Sequence, residues 1–426
     1  MCLRTIRFDG LKRYQYRELF DMRQTLWIIS ELFPPEETST GYIMGEIANA
    51  MTQKYEVKVI CGPTVYDSQK KQDVNSKTVV DKHIEVYHVD AVPENKNSKI
   101  SRIKKFLLMS WRMYHVAKKN IRKGDHVLMV TNPFPLVVLM GHLRRHRKFE
   151  LAMLVHDVAP ENLYTDIHIP GVVYQIIKRV FNKAYASTDL LVSLGRDMSE
   201  VLSQKVKDGL KGFRLSKRTG ELPRIKVIEN WGDVENIRPS EDFNEKKITI
   251  QYAGNIGNAQ GVGELVDVLH EAKCEQVAFS IWGTGSAENT IKEKVQEYGM
   301  EKQVSFHGAY FRSEQQKVLN ACDIALVRLV EGMYGLGVPS KTYNILAAGK
   351  PILYIGEKGT EIWRMIEEYG NGVCFEPQDR QGLISYICDL SLEKREKLRD
   401  MGKVSRKLAE EKYSKQTILN KFLEVL

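Results

Sequence analysis

At 426 residues, with 43% hydrophobic and 27% charged side chains, the chain is neither disordered nor fibrous, and its length suits two or three domains. No run reaches the roughly 18 to 20 uninterrupted apolar residues of a membrane span; the nearest, 126–143, is broken by Asn132, Pro133 and Pro135 and reads as strand, turn and helix. The formal charge of +9 is uneven, +12 over residues 1–240 and −3 over 241–426, with 13 basic residues and one acid between 99 and 148. Such a local patch points to an anionic partner, either a membrane surface or a nucleic acid.

Residues 1–21 differ in texture from the rest of the chain and read as an extension or an upstream start, with Met22 opening the first buried strand. The N-terminus lacks the apolar core and small-residue cleavage site of a secretory signal, so the expected compartment is the cytoplasm. Short apolar runs then alternate with helical patterns. Strands are predicted over 25–30, 56–61, 83–88, 126–130, 151–155, 190–193 and 225–228, and helices over 41–53, 101–120, 171–186 and 197–204. The polar stretch 232–247, with Pro239 and few large apolar residues, predicts a linker. The pattern restarts with strands over 248–253, 277–282, 304–306, 323–327, 352–355 and 372–375 and helices over 263–271, 287–298, 314–321 and 340–348. This alternation predicts an α/β chain of two doubly wound domains, 22–231 and 248–410, with a ligand cleft where their strand ends face each other. Cys2, Cys61, Cys274, Cys322, Cys374 and Cys388 show no C-x-x-C pair and no metal-ligand spacing, and Cys61, Cys322 and Cys374, in apolar or strand-like runs, read as buried thiols.

Three stretches carry chemistry. The strand 248–253 runs into Gly254-Asn255-Ile256-Gly257, where glycines let backbone N–H groups approach a diphosphate. A tight βα turn without a ligand is the alternative. The pattern is not G-x-G-x-x-G and lacks the acid about 20 residues on, which argues against a dehydrogenase. The strand ends Gly283-Thr284-Gly285-Ser286 and His307-Gly308-Ala309-Tyr310 face the same sheet edge and offer a slot for a planar base. In 334–351, Pro339 and Ser340 start a helix that Gly349-Lys350-Pro351 ends, so Ser340 and Lys341 present a hydroxyl and an ammonium to one anionic ligand. A merely solvated Lys341 is the alternative.

These stretches occur in one order with Glu31-Leu32-Phe33-Pro34-Pro35, Val155-His156-Asp157-Val158-Ala159-Pro160, Asn230-Trp231 and Val338-Pro339-Ser340-Lys341-Thr342-Tyr343-Asn344. Over roughly 22–410 the chain resembles bacterial glycosyltransferases of the GT-B fold, similar to family 4 and its polysaccharide-assembly branch. The resemblance implies a retaining hexosyltransferase that needs no metal or cofactor. Its donor would be a nucleotide sugar of UDP type, its acceptor a lipid-linked saccharide of capsule, lipopolysaccharide or exopolysaccharide assembly.

It places the donor on Gly254, Asn255, Gly257, Ser340, Lys341 and Asn344, with the base near Gly283, Gly285, His307 and Gly308. The acceptor side falls to Ser39, Thr40 and Gly41, with His156 and Asp157 orienting the sugars and Lys341 stabilising the leaving group. A terminal helix over 411–426 would cross back to the first domain. One departure stands out: two glutamates usual in the family are here Leu336 and Asn344, leaving Glu331 as the only nearby substitute. A same-fold nucleotide-sugar epimerase and a non-catalytic sugar-nucleotide-binding subunit are the alternatives.

The basic patch centres on a predicted amphipathic helix. Ile103, Phe106, Leu107, Ser110, Tyr114 and Ala117 recur at helical spacing, bordered by Arg102, Lys104, Lys105, Arg112, Lys118 and Lys119. With Phe106 and Trp111 exposed, that helix suits an anionic membrane surface, thickened by Arg144, Arg145, Arg147 and Lys148. A core helix with a solvated polar face is the alternative. No reader motif for nucleic acid accompanies the charge.

Overall fold

The computed structural model describes residues 23–36, 38–63, 78–93, 99–164, 170–211, 222–240, 246–257 and 260–426. The predicted extension at 1–21 lies outside them. Strands β1 (Thr25–Ser30), β2 (Glu56–Cys61), β3 (Glu85–His88), β4 (His126–Val130), β5 (Glu150–Val155), β6 (Leu190–Ser193) and β7 (Arg224–Val227) form one parallel sheet in the order β3-β2-β1-β4-β5-β6-β7. Its central strands are largely apolar because helices cover both faces. Helix α1 (Ser39–Met51) follows β1. Then come α2 (Lys99–Asn120), α3 (Phe134–His146), the single turn α4 (Glu161–Tyr164), α5 (Gly171–Tyr185) and α6 (Arg196–Leu210). Right-handed crossovers put α2, α3, α5 and α6 on one face, packed side by side in that order, and α1 on the other.

The second parallel sheet holds β8 (Ile248–Ala253), β9 (Val277–Trp282), β10 (Val304–Gly308), β11 (Ile324–Arg328), β12 (Ile352–Ile355) and β13 (Gly372–Phe375), ordered β10-β9-β8-β11-β12-β13. Its helices are α7 (Gly263–Ala272), α8 (Glu288–Glu297), α9 (Gln315–Asn320), α10 (Lys341–Ala347), α11 (Glu361–Tyr369), α12 (Arg380–Asp389) and α13 (Arg395–Glu411). The last helix, α14 (Lys415–Val425), returns to pack on α1 of the first domain. Lys415 lies 3.4 Å from Glu46, Lys54 donates to the Leu423 carbonyl at 3.2 Å, and the Tyr55 hydroxyl donates to the Leu426 carbonyl.

Further contacts tie the domains together. Gly232 bridges to Ser414 and Asp157 to Gly337, while Arg196 on α6 grips the buried Glu361 on α11 through Nε and Nη2, both at 3.0 Å. One hydrophobic cluster runs from the first sheet into the second domain through Tyr343, Leu346 and Phe422. The predicted linker is held down where it is described: the Arg406 guanidinium donates to the carbonyls of Val234, Ile237 and Ala347.

Two sequence expectations need correction, and the structure adds a cysteine pairing that the spacing does not signal. Cys274 and Cys388 are not isolated thiols; their Cα atoms lie 5.6 Å apart and their sulfurs pair, because the ends of α7 and α12 meet. The patch-bordering Lys105 is buried, its ammonium 3.9 Å from Glu31, so it belongs to the interior. Helix α2 is also turned relative to the predicted face. Met109, Ser110, Met113 and Ala117 face inward and Phe106 is half-buried, while Ile103 and Leu107 are exposed with Trp111. A helix apolar on two sides offers two candidate faces, and the fit of the small and flexible side chains against the sheet selects between them. Among the described residues, no helix is long and apolar enough to cross a membrane.

Candidate active site

A cleft of about 860 Å³ opens between the two sets of strand ends. Of the predicted residues it brings together Ser39, Asp157, Gly254, Asn255, Gly257, Ser340, Lys341 and Asn344. The second-domain wall starts where β8 ends. Gly254 donates its N–H to the Trp282 carbonyl at 2.9 Å, Ile256 to Thr284 at 3.0 Å, and Gly257 to the Gln260 side chain at 3.1 Å. Arg328, at the end of β11, is almost wholly buried and lends its guanidinium to the Gly261 carbonyl at 2.6 Å and to Glu264. It therefore shapes this loop as well as lining the cleft.

Lys341 opens α10. Its Nζ is shielded from solvent and has no hydrogen-bond partner among the described residues, lying 3.4 Å from the centre of the Tyr252 ring. The ring face offsets part of the lost hydration, and the Tyr252 hydroxyl donates to the Asn255 carbonyl at 2.5 Å, coupling the two loops. Burial pulls the Lys341 pKa down to about 7. A buried ammonium without a counter-charge is costly unless a ligand supplies one. Asn344, one turn on, is already engaged: its Oδ1 accepts from the Asp233 N–H at 3.0 Å and its Nδ2 donates to Gln315 at 3.2 Å. Leu336 is buried, and its carbonyl accepts from Val158. Glu331 does not line the cleft; it accepts from Gln378 at 3.3 Å and does not substitute for the glutamate replaced by Leu336.

On the first-domain wall, α1 contributes Ser39 but not Thr40 or Gly41. Gly41 is buried in the first turn, where its N–H donates to the Thr38 side chain at 3.1 Å and an added Cβ would lie 2.4 Å from the Glu36 carbonyl oxygen. Gly41→Ala should therefore destabilise the fold by about 1 to 3 kcal/mol, read as a lower denaturation midpoint. Past β5, residue 157 faces the cleft and residue 156 does not, since successive side chains alternate. His156 is thus not among the side chains that line the cleft. Its N–H donates to Thr131 at 3.2 Å, Nε2 has no partner among the described residues, and burial pulls its pKa down to about 4. Asp157 makes no side-chain hydrogen bond among the described residues, and burial pushes its pKa up to about 6.

The two loops read as a base slot reach the cleft wall through Ser286 and Tyr310, while Gly283, Gly285, His307 and Gly308 do not line it. Gly283 has φ +124° and sits so close to the neighbouring loop that a Cβ would lie 1.9 Å from the Gly254 carbonyl oxygen. Its glycine serves loop-on-loop packing. His307 stacks on Trp282 at 4.2 Å between ring centres and pairs with Ser305 at 3.0 Å.

The wall also holds Tyr42 and Arg312, which no sequence motif marks, and Tyr252, Gln260 and Tyr310, which lie in the motif stretches without being singled out there. The Arg312 guanidinium lies 3.4 Å from the centre of the Tyr42 ring across the domain boundary and 3.5 Å from Asp233. Tyr252 and Gln260 flank the glycine loop and Tyr310 follows His307-Gly308, so each had a local signal; the Arg312–Tyr42 pair forms through space alone. Among the described residues, no group of three or more His, Cys, Asp or Glu side chains is arranged to hold a metal.

Comparison with known proteins bears on this architecture. Residues 233–408 match the family described as glycosyl transferases group 1. The chain is 31% identical over 415 residues to the Pseudomonas aeruginosa protein named probable glycosyltransferase WbjE, covering 93% of this chain and 96% of that one. Over 204 residues, 48% of each chain, it is 28% identical to WcaI of Escherichia coli, named for colanic acid biosynthesis. The Anabaena HepE structure in complex with UDP-glucose shares the fold, with a TM-score of 0.65 at 16% identity over 95% of this chain and all of that one. The two facing parallel sheets, the returning terminal helix and the near full-length match to WbjE agree: the chain is a transferase and belongs to the group 1 glycosyltransferases of GT-B fold.

Proposed function

We propose that this glycosyltransferase moves a hexosyl group from a UDP-sugar to a lipid-linked saccharide, with retention at the anomeric carbon, during assembly of a surface polysaccharide at the cytoplasmic side of an anionic membrane. The observation that carries the donor reading is Lys341: a solvent-shielded cation without a partner among the described residues, on the wall of a cleft whose neighbouring loop is glycine-rich. A diphosphate is the counter-charge such a site lacks. The names of WbjE and WcaI, and the UDP-glucose held by HepE, support the same reading.

The reaction breaks the bond between the anomeric carbon and the β-phosphate oxygen and forms one from that carbon to an acceptor hydroxyl. Negative charge builds on the departing diphosphate, where protonated Lys341 stabilises it. The acceptor proton passes to a diphosphate oxygen on the face from which the acceptor attacks, so no strong protein base is needed. Asp157 and Ser39 then orient the acceptor.

An epimerase would need carboxylates around the sugar. Among the lining residues only Asp157 and Asp233 qualify, and Asp233 is held by Arg312 and Asn236. The test pairs two measurements: UDP release from a panel of UDP-sugars, and mass spectrometry of lipid-linked intermediates that accumulate when the gene is deleted. Release together with an intermediate one sugar short supports the reading. UDP-sugar binding without turnover across acceptors would leave a binding subunit, and an inverted anomeric product would overturn retention.

A further inference from the structure

The three neighbouring helices α2, α3 and α5 contain twelve Lys and Arg residues and no Asp or Glu. Some of that charge is engaged locally: Lys105 by Glu31, Arg144 by Asp189, Lys178 by Glu161, and Arg112 by the carbonyls of Asp90 and Ala91. Lys104, Lys118, Lys119 and Arg179 stand exposed. The same helices carry the apolar surface that the fold leaves uncovered. Of the eleven exposed large hydrophobic residues among those described, seven lie on α2 and α5.

They are ordered. On α2, Ile103, Leu107 and Trp111 recur every fourth residue with 43%, 55% and 54% of their surface exposed; on α5, Val172, Ile176 and Val180 do the same with 76%, 55% and 41%. Residues spaced by four share one side of a helix, so each set is a stripe. The inward faces are filled by other residues, Met109, Met113 and Ala117 on α2 and Phe181, Ala184 and Tyr185 on α5, so neither stripe belongs to the core.

We propose that this face docks on an anionic phospholipid bilayer, with the two stripes entering the headgroup boundary and the surrounding cations meeting lipid phosphates. The all-basic charge selects an anionic surface, and the paired stripes select one with an apolar interior over a nucleic acid. The placement also suits the reaction. Crossover helices run antiparallel to their strands, so Ile103 and Val172, near the helix starts, stand toward the carboxyl edge of the sheet, the edge that carries the cleft. Delivery of a lipid-borne acceptor to Ser39 and Asp157 by this route rests on the proposed function; the lipid affinity itself does not.

The experiment is co-sedimentation of the full chain with vesicles of phosphatidylcholine alone and of phosphatidylcholine with 30% phosphatidylglycerol, with UDP-sugar affinity measured in parallel to judge the donor reading separately. Partitioning should be at least about tenfold stronger on the anionic vesicles and weaken with salt. Leu107→Ser with Ile176→Ser, and Lys104→Gln with Lys118→Gln, Lys119→Gln and Arg179→Gln, should each lower it about tenfold or more while far-ultraviolet dichroism and donor affinity stay unchanged. Equal partitioning of wild type and variants, no wild-type partitioning, or wild-type self-association lost in the serine variant without a change in lipid binding would each overturn the proposal.

Discussion

Lys341→Ala should lower kcat/KM for the UDP-sugar about 100- to 1,000-fold, because it removes the one cation whose shielded Nζ has no protein partner among the described residues and whose helix opens on the cleft. The pH dependence is sharper still. In the free enzyme burial holds the Lys341 pKa at about 7, so the ammonium is neutral above that pH and charged below it. A bound diphosphate favours the charged form. Affinity for a UDP-sugar, which has no titrating phosphate proton in this range, should fall by up to about tenfold per pH unit above 7. Calorimetry at pH 8 in buffers of different ionisation enthalpy should show the uptake of nearly one proton on binding. An affinity that stays flat from pH 6 to 9 would remove Lys341 from the diphosphate site.

The same group affects stability with the opposite sign. A lysine pKa lowered by folding means that the unfolded chain binds more protons between pH 7 and about 10.4, so stability rises with pH across that window and the penalty is full below 7. Lys341→Met, which keeps the length and drops the charge, should stabilise the ligand-free protein by about 2 to 4 kcal/mol at pH 6 and abolish the thermal shift given by UDP-sugar.

Asp157→Asn should lower kcat about 100-fold or more at pH 7 and leave UDP-sugar affinity within about twofold, since Asp157 stands on the first-domain wall, away from the glycine loop. With its pKa pushed up to about 6, the wild-type rate should fall on acidification through pH 6, and the variant should lack that limb. Here the folded protein keeps a proton that the unfolded chain has lost between about pH 4 and 6. Stability therefore falls as pH rises through that window, and Asn should flatten the slope. A variant that loses donor affinity and activity together would assign Asp157 to domain closure, through its bridge to Gly337, instead of to the acceptor.

Much of this site was legible in the chain because its parts are local. A glycine-rich turn after an apolar strand, as at Gly254 to Gly257, and a Pro-Ser-Lys helix start at 339–341 write their geometry into adjacent residues. The resemblance to family 4 then oriented both toward one ligand. Where a named residue does not itself line the cleft, the deciding contact lay far off in sequence. Trp282 draws His307 into a stack and Gly283 is pressed onto Gly254, so the loops read as a base slot present Ser286 and Tyr310 to the cleft instead of those residues. His156 and Asp157 were equivalent candidates until the chain past β5 set Asp157 on the cleft wall and left His156 off it.

The charge shows the division most clearly. Composition alone established a basic first domain and a slightly acidic second one, and alternating short apolar runs established two parallel sheets, since both follow from neighbours within a few residues. Which cations are available was a tertiary decision. Lys105 goes inside to Glu31, Arg328 is spent on the Gly261 turn, Lys341 is left without a partner among the described residues, and Lys104, Lys118 and Lys119 reach the surface beside an apolar stripe. Burial and pairing depend on what the fold brings across tens or hundreds of residues, and a lysine's identity carries no record of that.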